Sequence, residues 1–584
     1  MPERDAIDIN LGDGAFLTAA GVRRERSGDL TADLILRAGD KIIFSDRAVL
    51  NTPEGRDAWA AKATGPDRPD ASRLAGAIAE YLLPDALAQL QHAPKKPSEA
   101  DELVGMVVTG ATADLAAEAA ELLELFHNPD GAGYATFQVG DHRETRPLRS
   151  RQFKLWLTKL SYEQRRKTPR TQALNDALAM LEARARFDGQ EYPVHVRLAE
   201  QDGNIYLDLC NERWEVVEVD DHGWRVLTVS PVKFVRTKKM LALPVPIEGG
   251  SIAALRPFVN VGGDADFVLV VAWLIGALRP RGPYAILILH GEQGSAKSTT
   301  ARILRSLVDP NGAPIRTAPR DERDLLIAAT NNWAVCFDNL SHLPPWLSDA
   351  LCRIATGGGL ATRELYSDQE ETILDAQRPQ IVNGIEELAT RGDLLDRAII
   401  LYLPTIPERE RRTEAAVWRA FDEAQPAILG ALLDLVSAGL RNLPDTHLDR
   451  LPRLADFALW CTAALKGADL CPDTDSQYDF AAAYEANRAA ANDLTLEASV
   501  VAQAVRAFMA SKQEWEGTAT ELLTALEATD SELHWRKGWP KDGHALSGAL
   551  RRLAPSLRLA KIAATIGIRE GHEGRRLIKI EKVG

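Results

Sequence analysis

The sequence predicts a multidomain α/β protein whose central part is a parallel sheet covered on both faces. Three observations carry this expectation. The apolar run Ala285-Ile286-Leu287-Ile288-Leu289 leads into Gly291-Glu292-Gln293-Gly294-Ser295-Ala296-Lys297-Ser298-Thr299 and then Thr300-Ala301-Arg302-Ile303-Leu304, a succession of strand, loop and helix. A second apolar run, Trp333 to Phe337, ends at Asp338-Asn339. Two more follow, one ending at Asn383 and one from Ala398 to Leu403. Runs that stay apolar instead of alternating are what strands buried on both faces require.

The glycine-bearing loop reads as a phosphate cradle. Its glycines let backbone N–H groups turn inward on an anion, Lys297 reaches the β and γ phosphates, and Ser298 offers a hydroxyl to Mg²⁺ at the positive end of a helix. The expected ligand of Gly291 through Thr299 is therefore ATP with Mg²⁺. Ala296 stands where the pattern G-x-x-x-x-G-K-[ST] has its second glycine, with Gly294 near enough to supply the turn. Asp338 closes its strand at the end where ligand-binding groups gather in parallel sheets, which makes it the expected metal-side partner of Ser298. Asp and Asn also favour ordinary turns, so its place after the loop is what singles it out.

Asn383 ends the third strand, and Asp393-Leu394-Leu395-Asp396-Arg397 precedes the fourth. With that order on the page, residues 265–405 resemble the ATPase core of superfamily III helicases, the AAA+ relatives found in viral, phage and plasmid primase-helicases. The resemblance implies a P-loop AAA+-like core with four roles. Lys297 neutralises γ-phosphate charge, Ser298 and Asp338 hold Mg²⁺, Asn383 senses or orients the attacking water, and Arg397 is a finger offered to a neighbour's site. Arg391 competes with Arg397 for that last role. A finger of this kind implies a homo-oligomer, expected as a hexameric ring around single-stranded DNA. The segment 351–366 resembles the superfamily's DNA-facing hairpin, which makes Arg363 a phosphate contact and Tyr366 a stacking face. Two departures matter. Asn339 occupies the place of an acidic residue that activates water, and an amide cannot accept a proton at neutral pH. No D-x-D carboxylate pair precedes the core, so a primase centre is not expected.

The flanking elements follow in order. Residues 1–98 alternate short strand signals with turns and then become helical, with Pro/Asp-rich breaks at Thr64 to Pro69 and Ala93 to Glu99. Residues 99–190 are expected to be mainly helical. They hold a basic island, Arg143 to Arg170, in which Phe153, Trp156, Leu157 and Leu160 recur at helical spacing and so read as core. Residues 191–247 read as a small β-rich meander broken at Gln201-Asp202-Gly203-Asn204 and Asp220-Asp221-His222-Gly223. The core takes 248–408 and a helical region 409–495. In 496–584, helices at 500–512, 518–528 and 545–553 precede a strand pair from Thr565 to Val583, the layout of a winged helix. From Lys541 to Gly584 ten Lys/Arg face four Asp/Glu, which makes Arg551, Arg552, Arg575 and Arg576 candidate DNA contacts. A winged helix also serves as a protein-docking module.

Composition bounds the rest. The 584 residues fit about four domains. The formal charge of −14 excludes a generally basic nucleic-acid coat and leaves binding to local patches. The cysteines Cys210, Cys336, Cys352, Cys461 and Cys471 lack C-x-x-C spacing, which points to a reducing cytoplasm and no zinc site. The most apolar stretch, Phe267 to Leu278, is shorter than the roughly 20 residues of a membrane span, and no membrane role is expected. The expected function is an ATP-dependent DNA helicase or translocase of phage or mobile-element type. A slow ATPase switch that remodels a partner, favoured by Asn339, and a nucleotide-ordered DNA scaffold are the alternatives.

Overall fold

The computed structural model describes residues 7–12, 15–24, 30–38, 41–64, 70–83, 119–120, 122–166, 168–340, 343–358, 360–363, 371–374, 377–384, 392–468, 470, 479–570 and 575–583. The chain forms two compact units, Met1–Thr109 and Gly110–Gly584. Most of the break Thr64 to Pro69 and all of Ala93 to Glu99 lie outside the described residues.

The first unit is an antiparallel meander, β1 (Ile7–Gly12), β2 (Ala15–Arg24), β3 (Leu30–Ala38) and β4 (Lys41–Val49), followed by α1 (Pro53–Ala63) and α2 (Ala71–Ala77). Leu30, Ala32, Leu34 and Leu36 share one face of β3 by the two-residue period, and they pack on Trp59, Ala60, Ala63 and Leu74 of the helices. Thr52 starts α1, its side chain accepting the Gly55 N–H.

The second unit opens with β5 (Leu123–His127), β6 (Gly133–Val139) and β7 (His142–Pro147), then α3 (Arg151–Arg165) and α4 (Thr171–Phe187). β8 (Gln190–Glu191) joins β5 to give the order β7-β6-β5-β8. The expectation of a mainly helical 99–190 therefore needs correcting: its described part is a sheet covered by two helices. The strands escape notice because β7 is an edge strand that carries His142, Arg143, Glu144 and Arg146, charges that an edge tolerates and a central strand does not. Phe153 and Leu157 are buried with Phe137 and Leu181, so the apolar members of the basic island are core.

The β-rich segment pairs β9 (Val194–His195) with β14 (Lys233–Phe234) and stacks a meander of β10 (Leu198–Gln201), β11 (Asn204–Asp208), β12 (Val216–Val219) and β13 (Trp224–Leu227). Asp202 and Gly203 turn the first hairpin with φ of 54° and 84°, the positive pair such a two-residue turn needs.

The core begins with α5 (Asp264–Ala277), apolar all round and buried from Phe267 onward. Next come β15 (Ile286–His290), α6 (Lys297–Val308), α7 (Glu322–Asn331), β16 (Val335–Leu340), α8 (Pro345–Thr356), the hairpin β17 (Leu360–Arg363) with β18 (Glu371–Leu374), β19 (Gln380–Gly384), α9 (Gly392–Leu395) and β20 (Ala398–Tyr402). The sheet is parallel in the order β16-β19-β15-β20, and a parallel bridge from Arg316 to Phe337 extends it beyond β16. Asn487 closes the other edge. Its side chain accepts the Ile400 N–H at 3.0 Å and donates to the Ile400 carbonyl at 2.6 Å.

Three helices follow, α10 (Glu414–Asn442), α11 (Ala455–Leu465) and α12 (Phe480–Ala498). By length and composition the stretch Glu414–Asp445 could cross a bilayer, its most apolar 18 residues having a mean hydropathy of 1.2. Its Phe421, Ile428, Leu429, Leu432 and Leu433 are instead buried with Trp460 and Phe457. The chain ends in α13 (Val500–Ala510), β21 (Glu514–Thr518), α14 (Ala519–Glu527), α15 (Gly543–Leu559), β22 (Ile562–Glu570) and β23 (Arg575–Lys582). All expected helices and the strand pair appear there. The added strand β21 makes the sheet order β21-β23-β22; its sequence Glu-Trp-Glu-Gly-Thr is mostly polar because it, too, is an edge.

A buried ionic knot joins the β-rich segment to the core. Asp309, which ends α6, is fully buried with Arg197 and Arg305. Arg197 Nε donates to Asp309 Oδ1 at 3.1 Å, and its remaining nitrogens donate to the carbonyls of Asp208, Leu241 and Pro310. Arg305 lies 3.7 Å from Asp309 Oδ2 and donates to the Asp309, Ala313 and Pro314 carbonyls. The same Oδ2 accepts the N–H groups of Trp333 and Ala334, at 3.0 and 3.2 Å. Asp309→Ala leaves two buried guanidiniums uncompensated, and the expected cost is about 3–5 kcal/mol. Urea denaturation checks this; an unchanged midpoint would refute it.

His195 lies in a cleft of about 540 Å³ that Arg378 and Arg281 also line. Burial, then the charges of Arg378 and Arg281, push its imidazole down from 6.5 to about 4. Between those values the unfolded chain holds a proton that the folded chain does not. His195 therefore removes stability as pH falls from 6.5 toward 4, by up to about 3 kcal/mol. His195→Gln should lose less stability than the parent between neutrality and pH near 4 in paired denaturation curves, and an equal loss contradicts the assignment.

Candidate functional site

The loop between β15 and α6 is shaped by residues that tolerate what it demands. At Gly291, φ is +150° and a Cβ would come within 2.6 Å of the Leu403 carbonyl and of Ser295 Oγ, so only glycine fits. Gly294 follows at φ +89°, and Ala296 takes φ 59° just before the helix. Ala296 thus adopts the left-handed conformation that the missing glycine would have adopted more easily. Ser295 is buried and donates to the Glu292 carbonyl at 2.8 Å.

Other segments brace this loop. Asn260 Nδ2 donates to the carbonyls of Ser295 and Pro404 at 2.9 and 2.6 Å. Thr405 Oγ1 donates to Glu292 Oε2, and the Ile406 N–H to the Gly294 carbonyl. None of these residues was legible as a site residue, because each lies far from the loop in sequence and outside any motif.

Lys297 Nζ folds back on the loop, donating to the carbonyls of Gly291 at 2.7 Å and Glu292 at 2.9 Å. Burial lowers its pKa from the usual 10.5, and the Asp338 carboxylate opposes that shift. Ser298 Oγ donates to Asp338 Oδ1 at 2.8 Å. Asp338 itself is partly buried at the end of β16, its N–H donating to the Arg316 carbonyl. Asn339 has φ 54° and an exposed side chain; its N–H donates to Asn383 Oδ1 at 2.8 Å. Asn383 is 1% exposed, and its Nδ2 is buried without a partner among the described residues. Lys297, Ser298, Asp338, Asn339 and Asn383 thus come together at the C-terminal ends of three adjacent strands.

The chemistry of this donor set suits a polyphosphate with a hard cation. The first turn of α6 has neither a side-chain cap nor an acidic residue, so its N–H groups and dipole are free for an anion. A hydroxyl beside a carboxylate is the oxygen pair that Mg²⁺ takes.

The other candidates fall elsewhere. Arg397 precedes β20 at the opposite end of the sheet, where its carbonyl accepts the Ile286 N–H and its Nη1 donates to the Asp393 carbonyl at 2.7 Å. That is the whole length of β15 from its own loop, roughly 15 Å. Arg391 and Tyr366 lie outside the described residues, as do the side chains of Arg363 and Arg575. Arg551 and Arg552 are exposed on α15 and border a cleft of about 690 Å³ shared with Asp393, Asp396, Arg453 and Lys537. Arg576 is exposed on β23.

Residues 252–495 match the family model of the actinomycete integrative conjugative element replication protein. This part resembles a mobile-element replication protein. The next segment, 501–584, matches the model of the AICE RepA C-terminal domain. No curated protein matches the chain. Among solved structures, the apo C-terminal region of NrS-1 is 11% identical, with a TM-score of 0.37 over 82% of this chain and 100% of that one. JCV helicase bound to a phenoxyphenyl acetamide compound is 14% identical, with a TM-score of 0.19 over 34% of this chain and 60% of that one. Scores this low do not establish a shared fold.

Proposed function

We propose that residues 252–584 are an ATP-hydrolysing DNA motor, a helicase or translocase that serves replication of a mobile element. The observation that carries this reading is the convergence of Lys297, Ser298, Asp338 and Asn383 at the C-terminal ends of β15, β16 and β19. The strand order and the replication-family match support it. On this reading Lys297 exchanges the Gly291 and Glu292 carbonyls for the β and γ phosphates, a move helped by its having only neutral partners in the loop. Ser298 and Asp338 release each other to hold Mg²⁺, which supplies charge against the polyphosphate. Asn383 presents its Nδ2 to orient water at the γ-phosphate. Asn339 orients but cannot take the proton, so basal turnover is slow.

Arg397 lies too far from its own loop to act there, so a finger role for it requires a neighbour's site and a ring, a hexamer in the superfamily this part resembles. The C-terminal order helix, strand, two helices and two strands, with β21 against β23, supports the reading of a winged helix that contacts DNA through Arg551, Arg552, Arg575 and Arg576. The second reading, a slow switch that remodels a partner, rests on Asn339 alone, and stimulation of turnover by single-stranded DNA separates the two.

Lys297→Ala is expected to abolish turnover and sharply weaken nucleotide binding, since the loop loses its one positive charge; retained turnover in the purified variant removes the motor. Arg397→Ala is expected to lose roughly 10³-fold or more in turnover with nucleotide binding kept. Mixing it with Lys297→Ala subunits should restore part of the activity, because some interfaces then pair an intact loop with an intact arginine. No recovery, together with wild-type turnover of Arg397→Ala alone, rules out action across subunits.

A further inference from the structure

Between α14 and α15 the chain runs through a short turn, Leu533–Trp535, that is fixed from both sides. Leu533 is 3% and Trp539 9% exposed, and the Trp539 indole N–H donates to Glu527 at 3.0 Å. Asp530 accepts the Glu532 N–H at 2.9 Å and pairs with Arg536 at 3.1 Å. On this braced turn Trp535 is 81% exposed, with the His534 ring 4.4 Å away at 43°. The segment from Leu533 to Trp539 thus turns Leu533 and Trp539 inward and holds the Trp535 ring out in water on a fixed backbone, available to a partner.

The surroundings say which kind. Lys537 and Lys541 are exposed and have no ion-pair partner among the described residues. Lys537 borders the same cleft as Arg551 and Arg552. The nearby carboxylates are committed: Asp530 to Arg536, Glu527 to Trp539 and Asp542 to capping α15, which leaves Glu532. A protein-docking site buries a continuous apolar patch. Here a single ring stands beside Lys537 and Lys541, and exposed rings with nearby cations bind unpaired nucleic acid by stacking and by holding phosphates.

We propose that Trp535 stacks on an unpaired DNA base while Lys537 and Lys541 hold the adjacent phosphates, so that the C-terminal domain favours single-stranded or frayed DNA over closed duplex. This rests on the DNA-binding reading above and adds to it a residue and a strand preference. A closed duplex offers no free base face, so the ring contributes only where a base is unstacked.

The test uses the full chain without nucleotide, with fluorescence anisotropy on a labelled single strand and on a blunt duplex of equal length, over a salt series. Trp535→Ala should weaken single-strand binding about 5- to 150-fold and leave the duplex unchanged. Its salt dependence should match the parent, because stacking releases no counterions. Trp535→Phe should keep most of the affinity, which excludes a folding defect. Lys537→Ala with Lys541→Ala should instead flatten the salt slope, by about 0.7 for each phosphate no longer neutralised. Parent-like binding by Trp535→Ala, or an equal loss on both DNAs, overturns the stacking role while the DNA-binding reading stands. A parent chain that binds neither DNA overturns that reading itself.

Discussion

The carboxylate of Asp309 is the constraint on which the second unit depends. It ends the helix that begins with Lys297 and accepts the two N–H groups that lead into the strand that carries Asp338. The loop and the carboxylate across from it are therefore set by one buried anion. Two arginines neutralise it, and one of them, Arg197, comes from the β-rich segment. An anion in a dry interior is stable only with full hydrogen bonding and opposite charge around it. That requirement makes the β-rich segment a structural part of the core.

The site itself rests in a self-satisfied state. The ammonium of Lys297 is solvated by the loop's own carbonyls, and Ser298 and Asp338 satisfy each other. Each polar group has a partner it can exchange without being left bare, which keeps the cost of ligand entry small. Asn383 is the exception. Its Oδ1 is anchored by the Asn339 N–H, and its Nδ2 is left over among the described residues. Asn339 takes the left-handed conformation that asparagine tolerates, φ 54°, and belongs to the same anchor, so it contributes geometry through its main chain.

How much of this was legible in the sequence follows from what each element must bury. β15, β20, the first half of β16 and the Ile381-Val382 pair of β19 are apolar because both faces are covered, which made the strands legible, and the parallel sheet brings Lys297, Ser298, Asp338 and Asn383 to one end of it. β7 and β21 escaped because edge strands carry charge. The bracing residues Asn260 and Thr405 escaped because a hydrogen bond between distant segments leaves no periodicity. Arg551 and Arg552 were visible as a basic cluster, but composition gives no direction, and they prove to border a cleft beside α9.

The asparagine at the outer edge of the sheet has one more consequence. Both backbone groups of Ile400, at the middle of β20, are occupied by the Asn487 side chain, so no further strand can pair there without displacing it. At that point the sheet ends on a side chain of its own molecule, a stop that helix α12 supplies and that leaves the strand's midpoint without a free hydrogen-bonding pair, and Arg397 stands at the start of the strand so closed.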